Sequence, residues 1–189
     1  MKAEYANPAI YDHLYRVMQR ANVIAMRVSV ETGMRIDDVL SLRPDNVNGS
    51  KLTFTAKKTG KNGVARISAD LARELRGIAG TDWVFPGRDA RKHRTRQTVY
   101  RDIRRACAIL GVETHISPHS ARKTFAVELR KEKGLAEVQK ALQHANAEVT
   151  KLYAFADIAT PRTAEGIDIE ALAQLIAEKV VFLLQKQQK

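Results

Sequence analysis

From about residue 8 to residue 31, apolar positions recur at helical spacing: Tyr11, Leu14, Val17, Met18, Ala21, Ile24, Ala25 and Val28. That stripe predicts one amphipathic helix, stopped at Gly33. A second, short helix is predicted over Met34 to Leu42, with Ile36, Val39 and Leu40 facing the core and Pro44 ending it. The period then drops to two. Leu52-Thr53-Phe54-Thr55-Ala56 and Val64-Ala65-Arg66-Ile67-Ser68 flank a turn rich in lysine and glycine, which reads as a β-hairpin with a basic tip. Asp82 to Phe85, closed by Pro86-Gly87, is the expected third strand, and Asp70 to Ile78 is a helix between. Helical spacing returns at Val99, Ile103, Ala106 and Leu110, with Cys107 in the same apolar register. Further helices are expected from Ser117, over 135–142 and over 147–154. A linker over 158–166 holds Thr160-Pro161 and Gly166, and Ile169, Leu172, Ile176, Val180 and Leu183 form an amphipathic stripe over about 167–187. The expectation is a mixed α+β fold, mainly α-helical, with a small three-stranded sheet on one edge and an amphipathic C-terminal helix. No repeat or firm internal boundary interrupts it, so a single domain is expected, with its core over about 8–157.

Composition narrows the partners. The chain has 189 residues, 44% of them apolar, enough to bury a core. Thirty-two basic residues against 21 acidic ones leave a formal charge of +11. That balance fits a polyanion, double-stranded DNA before an anionic membrane surface. The single cysteine excludes an internal disulfide framework and a cysteine-rich zinc site. No apolar run is long enough to span a bilayer, and the expected location is cytoplasmic.

Phosphate chemistry is written into several short stretches. In Ser117-Pro118-His119-Ser120-Ala121-Arg122-Lys123-Thr124, Ser117 suits the N-cap and Pro118 the first helical position. His119 and Arg122 then share a face at a helix start, where free N–H groups and the dipole favour an anion. Arg35 stands at another helix start, where a cation gains nothing from the dipole. Lys57, Lys58 and Lys61 crowd the hairpin tip, and on charge alone each could serve equally. Arg88, Arg91, Lys92, His93, Arg94 and Arg96 form a dense basic loop suited to positioning DNA by its phosphates. Lys123 adds to the candidate contacts. Asp37-Asp38 is an adjacent pair on a helix and not a metal-ligand spacing.

In order along the chain, these stretches resemble the catalytic domain of the tyrosine recombinases, the phage integrase family. Thr32-Gly33-Met34-Arg35, followed by Asp38-Val39-Leu40-Ser41-Leu42-Arg43, is similar to the family's first arginine box. Lys58-Thr59-Gly60 is similar to its hairpin lysine, and His119-Ser120-Ala121-Arg122 to its His-x-x-Arg box. Leu142-Gln143-His144 resembles the Leu-Gly-His box, with Gln143 where the family usually has glycine. Thr150-Lys151-Leu152-Tyr153 resembles the nucleophile segment, at the usual step from His144 to Tyr153. The resemblance implies Arg35, Lys58, His119, Arg122, His144 and Tyr153 as catalytic residues. Tyr153 would attack a DNA phosphodiester to give a 3′-phosphotyrosyl link, needing neither metal nor ATP nor another cofactor. The two arginines would neutralise the transition state, Lys58 would protonate the leaving 5′-oxygen, His119 would act as base or donor, and His144 would donate to the scissile phosphate. It further implies self-association on DNA through the C-terminal helix. The family's N-terminal core-binding domain is expected to be absent from residues 1–189. Two other readings keep the fold: a non-catalytic DNA-binding module, and strand relaxation like that of type IB topoisomerases.

Overall fold

A computed structural model describes residues 4–142. The helix expected over 147–154, the linker and the C-terminal helix lie outside the described residues.

Seven helices and one small sheet account for most of the described chain. In order they are α1 (Pro8–Tyr15), α2 (Arg20–Thr32), α3 (Ile36–Leu40), β1 (Val47–Asn48), β2 (Lys51–Thr55), β3 (Asn62–Arg66), α4 (Ala69–Ile78), α5 (Arg96–Leu110), α6 (Pro118–Lys133) and α7 (Leu135–Leu142). The sheet is antiparallel in the order β1-β2-β3, with Leu52 opposite Val47 on one side and Ala65 on the other. Tyr11, Leu14, Ile24, Val28, Leu40, Leu52, Leu71, Phe85 and Ile103 meet in the main core. Cys107 joins them as expected. A smaller cluster of Ala126, Val138 and Leu142, with Phe125 and Leu129 against it, holds α7 to α6.

Three expectations are corrected by packing. The predicted helix over 8–31 is two helices, because a side chain from α5 enters at the break. Asp102 Oδ2 accepts from the Gln19 N–H at 2.8 Å and from Asn22 Nδ2 at 2.7 Å, capping the start of α2. Arg105 Nη2 donates to the Val17 carbonyl at 2.5 Å, satisfying a group the end of α1 leaves open. The stripe runs unbroken through both helices, so periodicity alone cannot see a cap supplied from about eighty residues away.

The third strand is Val47–Asn48 rather than Asp82 to Phe85. Gly49 takes a left-handed φ of 57° in the tight turn that follows Asn48. Asn-Gly is the strongest local hairpin signal, and here it announces β1. The 82–85 stretch does pair its backbone, but singly: the Val84 N–H donates to the Leu42 carbonyl at 2.9 Å, and the Phe85 carbonyl accepts from Arg94 N at 2.7 Å. Leu110, placed in the α5 stripe, is 39% exposed with Ile109 beside it, because the helix ends there at Gly111 and leaves the core.

Candidate active site

The start of α6 forms as its sequence demands. Ser117 Oγ accepts from His119 N at 3.3 Å, and Ser120 Oγ accepts from Ser117 N at 3.1 Å, a reciprocal cap. This helix mouth opens into a cleft of about 820 Å³. Arg35, Lys57, Lys58, Arg96, His119 and Arg122 all line it. They come from the α3 start, the hairpin, the α5 start and the α6 start. Cations from four separate stretches therefore surround one space, and among the described residues Asp37 and Asp38 are the carboxylates that share the wall.

Each cation is placed by local structure. Gly33 ends α2 with a φ of 69°, and two residues later Arg35 caps α3 from an extended conformation. Arg122 is only 4% exposed. A buried guanidinium must find acceptors, and this one donates from Nη1 to the Gly33 carbonyl and from Nη2 to the Leu142 carbonyl at 2.8 Å. It thus pins the turn before Arg35 and the end of α7 to α6. Asp38, one of the adjacent acidic pair, is 3% exposed and accepts from the Lys57 N–H at 2.9 Å, tying the hairpin to α3.

Burial lowers the His119 pKa below the ordinary imidazole value, and the charges of Arg122, Lys123, Arg35 and Arg96 push it further down. Its ring is therefore neutral at physiological pH, able to take a proton. Of the four described tyrosines, Tyr11 and Tyr15 are in or against the core, and burial raises both phenols far above their usual range. Tyr11 shares a 3.3 Å hydrogen bond with Thr124, and Tyr5 donates to Glu128 at 3.3 Å. Tyr100 alone among the described tyrosines lines the cleft, at 38% exposure. His144 and Tyr153 lie outside the described residues.

The basic loop divides. Arg88, Arg91 and Lys92 are exposed, as is Lys61 at the hairpin tip. Arg91 is also held to Asp89 at 3.3 Å. Arg94 turns inward instead, donating from Nη1 to Gln19 at 3.3 Å and Asn22 at 3.1 Å. His93 packs edge-on against Trp83 with Lys57 beside it. Lys123 is half-buried on α6 and is not part of the cleft wall. Sequence reasoning passed over His115, Gln97 and Tyr100, which complete the wall. Arg96 and Tyr100, four residues apart on α5, share a face, and that spacing was the available signal.

The model of the phage integrase family matches residues 7–159. The chain is 31% identical over 141 residues to the probable integrase/recombinase YoeC of Bacillus subtilis, covering 71% of this chain and 77% of that protein. It is 28% identical over 130 residues to a tyrosine recombinase of Pseudothermotoga lettingae, covering 64% of this chain and 44% of the relative. Among solved structures, a lambda integrase dimer bound to a COC′ core site aligns with a TM-score of 0.72 at 18% identity, over 87% of this chain and 51% of that one. The chain thus spans about half the length of two of these three relatives.

Proposed function

Because this chain belongs to the phage integrase family, a family of site-specific tyrosine recombinases, we propose that its cationic cleft holds one phosphodiester of double-stranded DNA for cleavage and rejoining by Tyr153. Site-specific recombination is the activity that this membership supports. The observation that carries the finer reading is the convergence of Arg35, Lys58, His119 and Arg122 on one cleft from three distant stretches of sequence.

In this reading the Tyr153 oxygen attacks the phosphorus and its proton passes to the neutral His119 ring. The bond from phosphorus to the 5′-oxygen breaks, and that oxygen takes a proton from the Lys58 ammonium. A 3′-phosphotyrosyl link and a 5′-hydroxyl result. A partner strand's 5′-hydroxyl then attacks the same phosphorus and gives its proton back to Lys58. The Tyr153 oxygen leaves with the proton from His119. Negative charge spreads over the phosphoryl oxygens at each transition state. Arg35 and Arg122 meet it with fixed positive charge, each contributing roughly 3 to 4 kcal/mol by analogy with lost oxyanion donors. His144 donates to the same phosphate. The exposed cations Arg88, Arg91, Lys92 and Lys61 hold the flanking backbone. Association of protomers on DNA belongs to the same reading, with the segment from Ile167 onward as the docking element. Deleting from Gly166 should then abolish strand exchange and spare cleavage.

The test uses nicked suicide duplexes selected from a randomised library by binding, incubated at low salt and run on denaturing gels. Wild type and Tyr100→Phe should give a covalent DNA adduct, and Tyr153→Phe should bind DNA without one. An adduct that persists in Tyr153→Phe, or is lost in Tyr100→Phe alone, refutes the assignment.

A further inference from the structure

The loop before α5 holds a histidine that this chemistry does not use. His93 Nδ1 lies 2.7 Å from the Arg94 carbonyl oxygen. A carbonyl only accepts, so Nδ1 carries the proton and Nε2 of the neutral ring is an acceptor. Lys57 Nζ, which only donates, lies 3.3 Å from that Nε2. The two contacts agree on one tautomer. The ring is also held from a third side. Its edge meets Trp83, with centroids 5.1 Å apart at 76°. Trp83 is fixed in turn by its Nε1 donating to the Arg91 carbonyl at 3.1 Å and by the Arg43 guanidinium 4.5 Å over its ring. Beneath, the Gly87 N–H donates to the Lys92 carbonyl at 2.8 Å. The loop is therefore a built platform rather than a solvated basic strand.

Lys57 is clamped at both ends. Its N–H is held by Asp38 on α3, and its ammonium by His93 on the loop. Lys58 comes next, exposed in a turn closed by the Ala56 N–H donating to the Lys61 carbonyl at 2.9 Å and the Gly60 N–H donating to the Ala56 carbonyl at 2.8 Å. The turn fixes the backbone, but the exposed Lys58 side chain would still have to lose rotamer freedom during the reaction. Two adjacent ammoniums would also compete for one phosphate.

We propose that His93 is a positioning residue for strand cleavage: as a neutral Nδ1–H imidazole it holds the Lys57 ammonium against the 86–94 loop, so that of the two lysines in the cleft wall Lys58 is the one that reaches the leaving 5′-oxygen. This rests on reading Lys58 as the general acid. The role is a steric and hydrogen-bonding one, and His93 itself touches no reacting atom.

Two measurements test it. Long-range ¹H–¹⁵N spectra of the free protein should show His93 as the Nδ1–H tautomer, with its Nε2 resonance moving in Lys57→Met. An Nε2–H tautomer, or an Nε2 signal indifferent to that substitution, overturns the proposal. Cleavage is then compared on suicide duplexes carrying ordinary oxygen or a 5′-bridging sulfur at the scissile position, since a thiolate leaves without a proton. His93→Ala should slow cleavage of the oxygen substrate roughly 10- to 100-fold, with DNA affinity unchanged. Sulfur should restore it, as it should restore Lys58→Ala. His93→Gln, whose amide oxygen reaches the place of Nε2, should keep most activity. Equal losses on both substrates for His93→Ala, with Lys58→Ala rescued, mean that His93 only supports the loop, and the proposal fails. Lys58→Ala left unrescued by sulfur refutes the general-acid reading itself and this inference with it.

Discussion

Replacing Gly33 by alanine should cost more than any single methyl group suggests. Gly33 has a φ of 69°, where an L-residue is disfavoured by about 1–2 kcal/mol. A Cβ there would also lie 2.6 Å from Phe125 Cε1, closer still to Phe125 Cδ1, and 2.9 Å from Leu142 Cδ2. Phe125 and Leu142 belong to the cluster that joins α6 to α7, so neither ring nor methyl can simply swing into water. Overpacking of this kind adds about 1–3 kcal/mol. The expected total is about 2–5 kcal/mol, read by urea denaturation. Gly49→Ala supplies the control: φ is 57° and nothing lies within 4 Å, so only the conformational part, about 1–2 kcal/mol, applies. Shortening the ring in the double variant Gly33→Ala/Phe125→Leu should return part of the packing loss, as a coupling of about 1–2 kcal/mol. Adduct formation should fall further than stability does, because the Gly33 carbonyl holds the Arg122 guanidinium. If Gly33→Ala proves no more destabilising than Gly49→Ala, the close approach of α2 and α6 at this point is refuted.

Two further predictions concern titrating groups. Burial alone would raise the Asp102 carboxyl, but hydrogen bonds from Asn22, Arg105 and the Gln19 N–H outweigh it and leave the pKa lowered. Its contribution is therefore complete above the usual carboxylate range and is lost as pH falls through the lowered folded value. Asp102→Ala should destabilise by about 2–4 kcal/mol at pH 7, through a lost cap and a stranded Asn22, and the gap from wild type should narrow in melts at the most acidic pH. For His119, Lys123→Ala removes one of the charges that depress the imidazole, so its pKa should rise toward the ordinary value in an NMR titration. A pKa that stays put would show that Lys123 does not bear on this ring.

Much of this protein was legible before any coordinates. Ser117, Pro118 and Ser120 start α6 by chemistry that acts within four residues, and the alternation of Leu52 with Phe54 and of Ala65 with Ile67 about a Lys-Gly turn is enough to write a hairpin. Local rules of capping, turn and period need only neighbours, and the sequence supplies neighbours. The five stretches that resemble the tyrosine recombinase boxes are likewise strings of neighbouring residues.

What the sequence could not decide were matters settled between residues far apart. Asp102 and Arg105 divide α1 from α2 across some eighty positions, against a stripe that runs straight through the break. Val47 pairs with Leu52 while Asp82 to Phe85, equally apolar, finds only single backbone partners. Two arginines of the basic stretch, alike in composition, part ways: Arg94 reaches Gln19 and Asn22, and Arg96 reaches the cleft. In each case burial leaves a polar group that must be satisfied, and which partner satisfies it depends on what the fold brings near. The residues for a phosphate were thus set by the sequence, and their meeting in one cleft, with Lys57 drawn onto His93, was decided by tertiary packing.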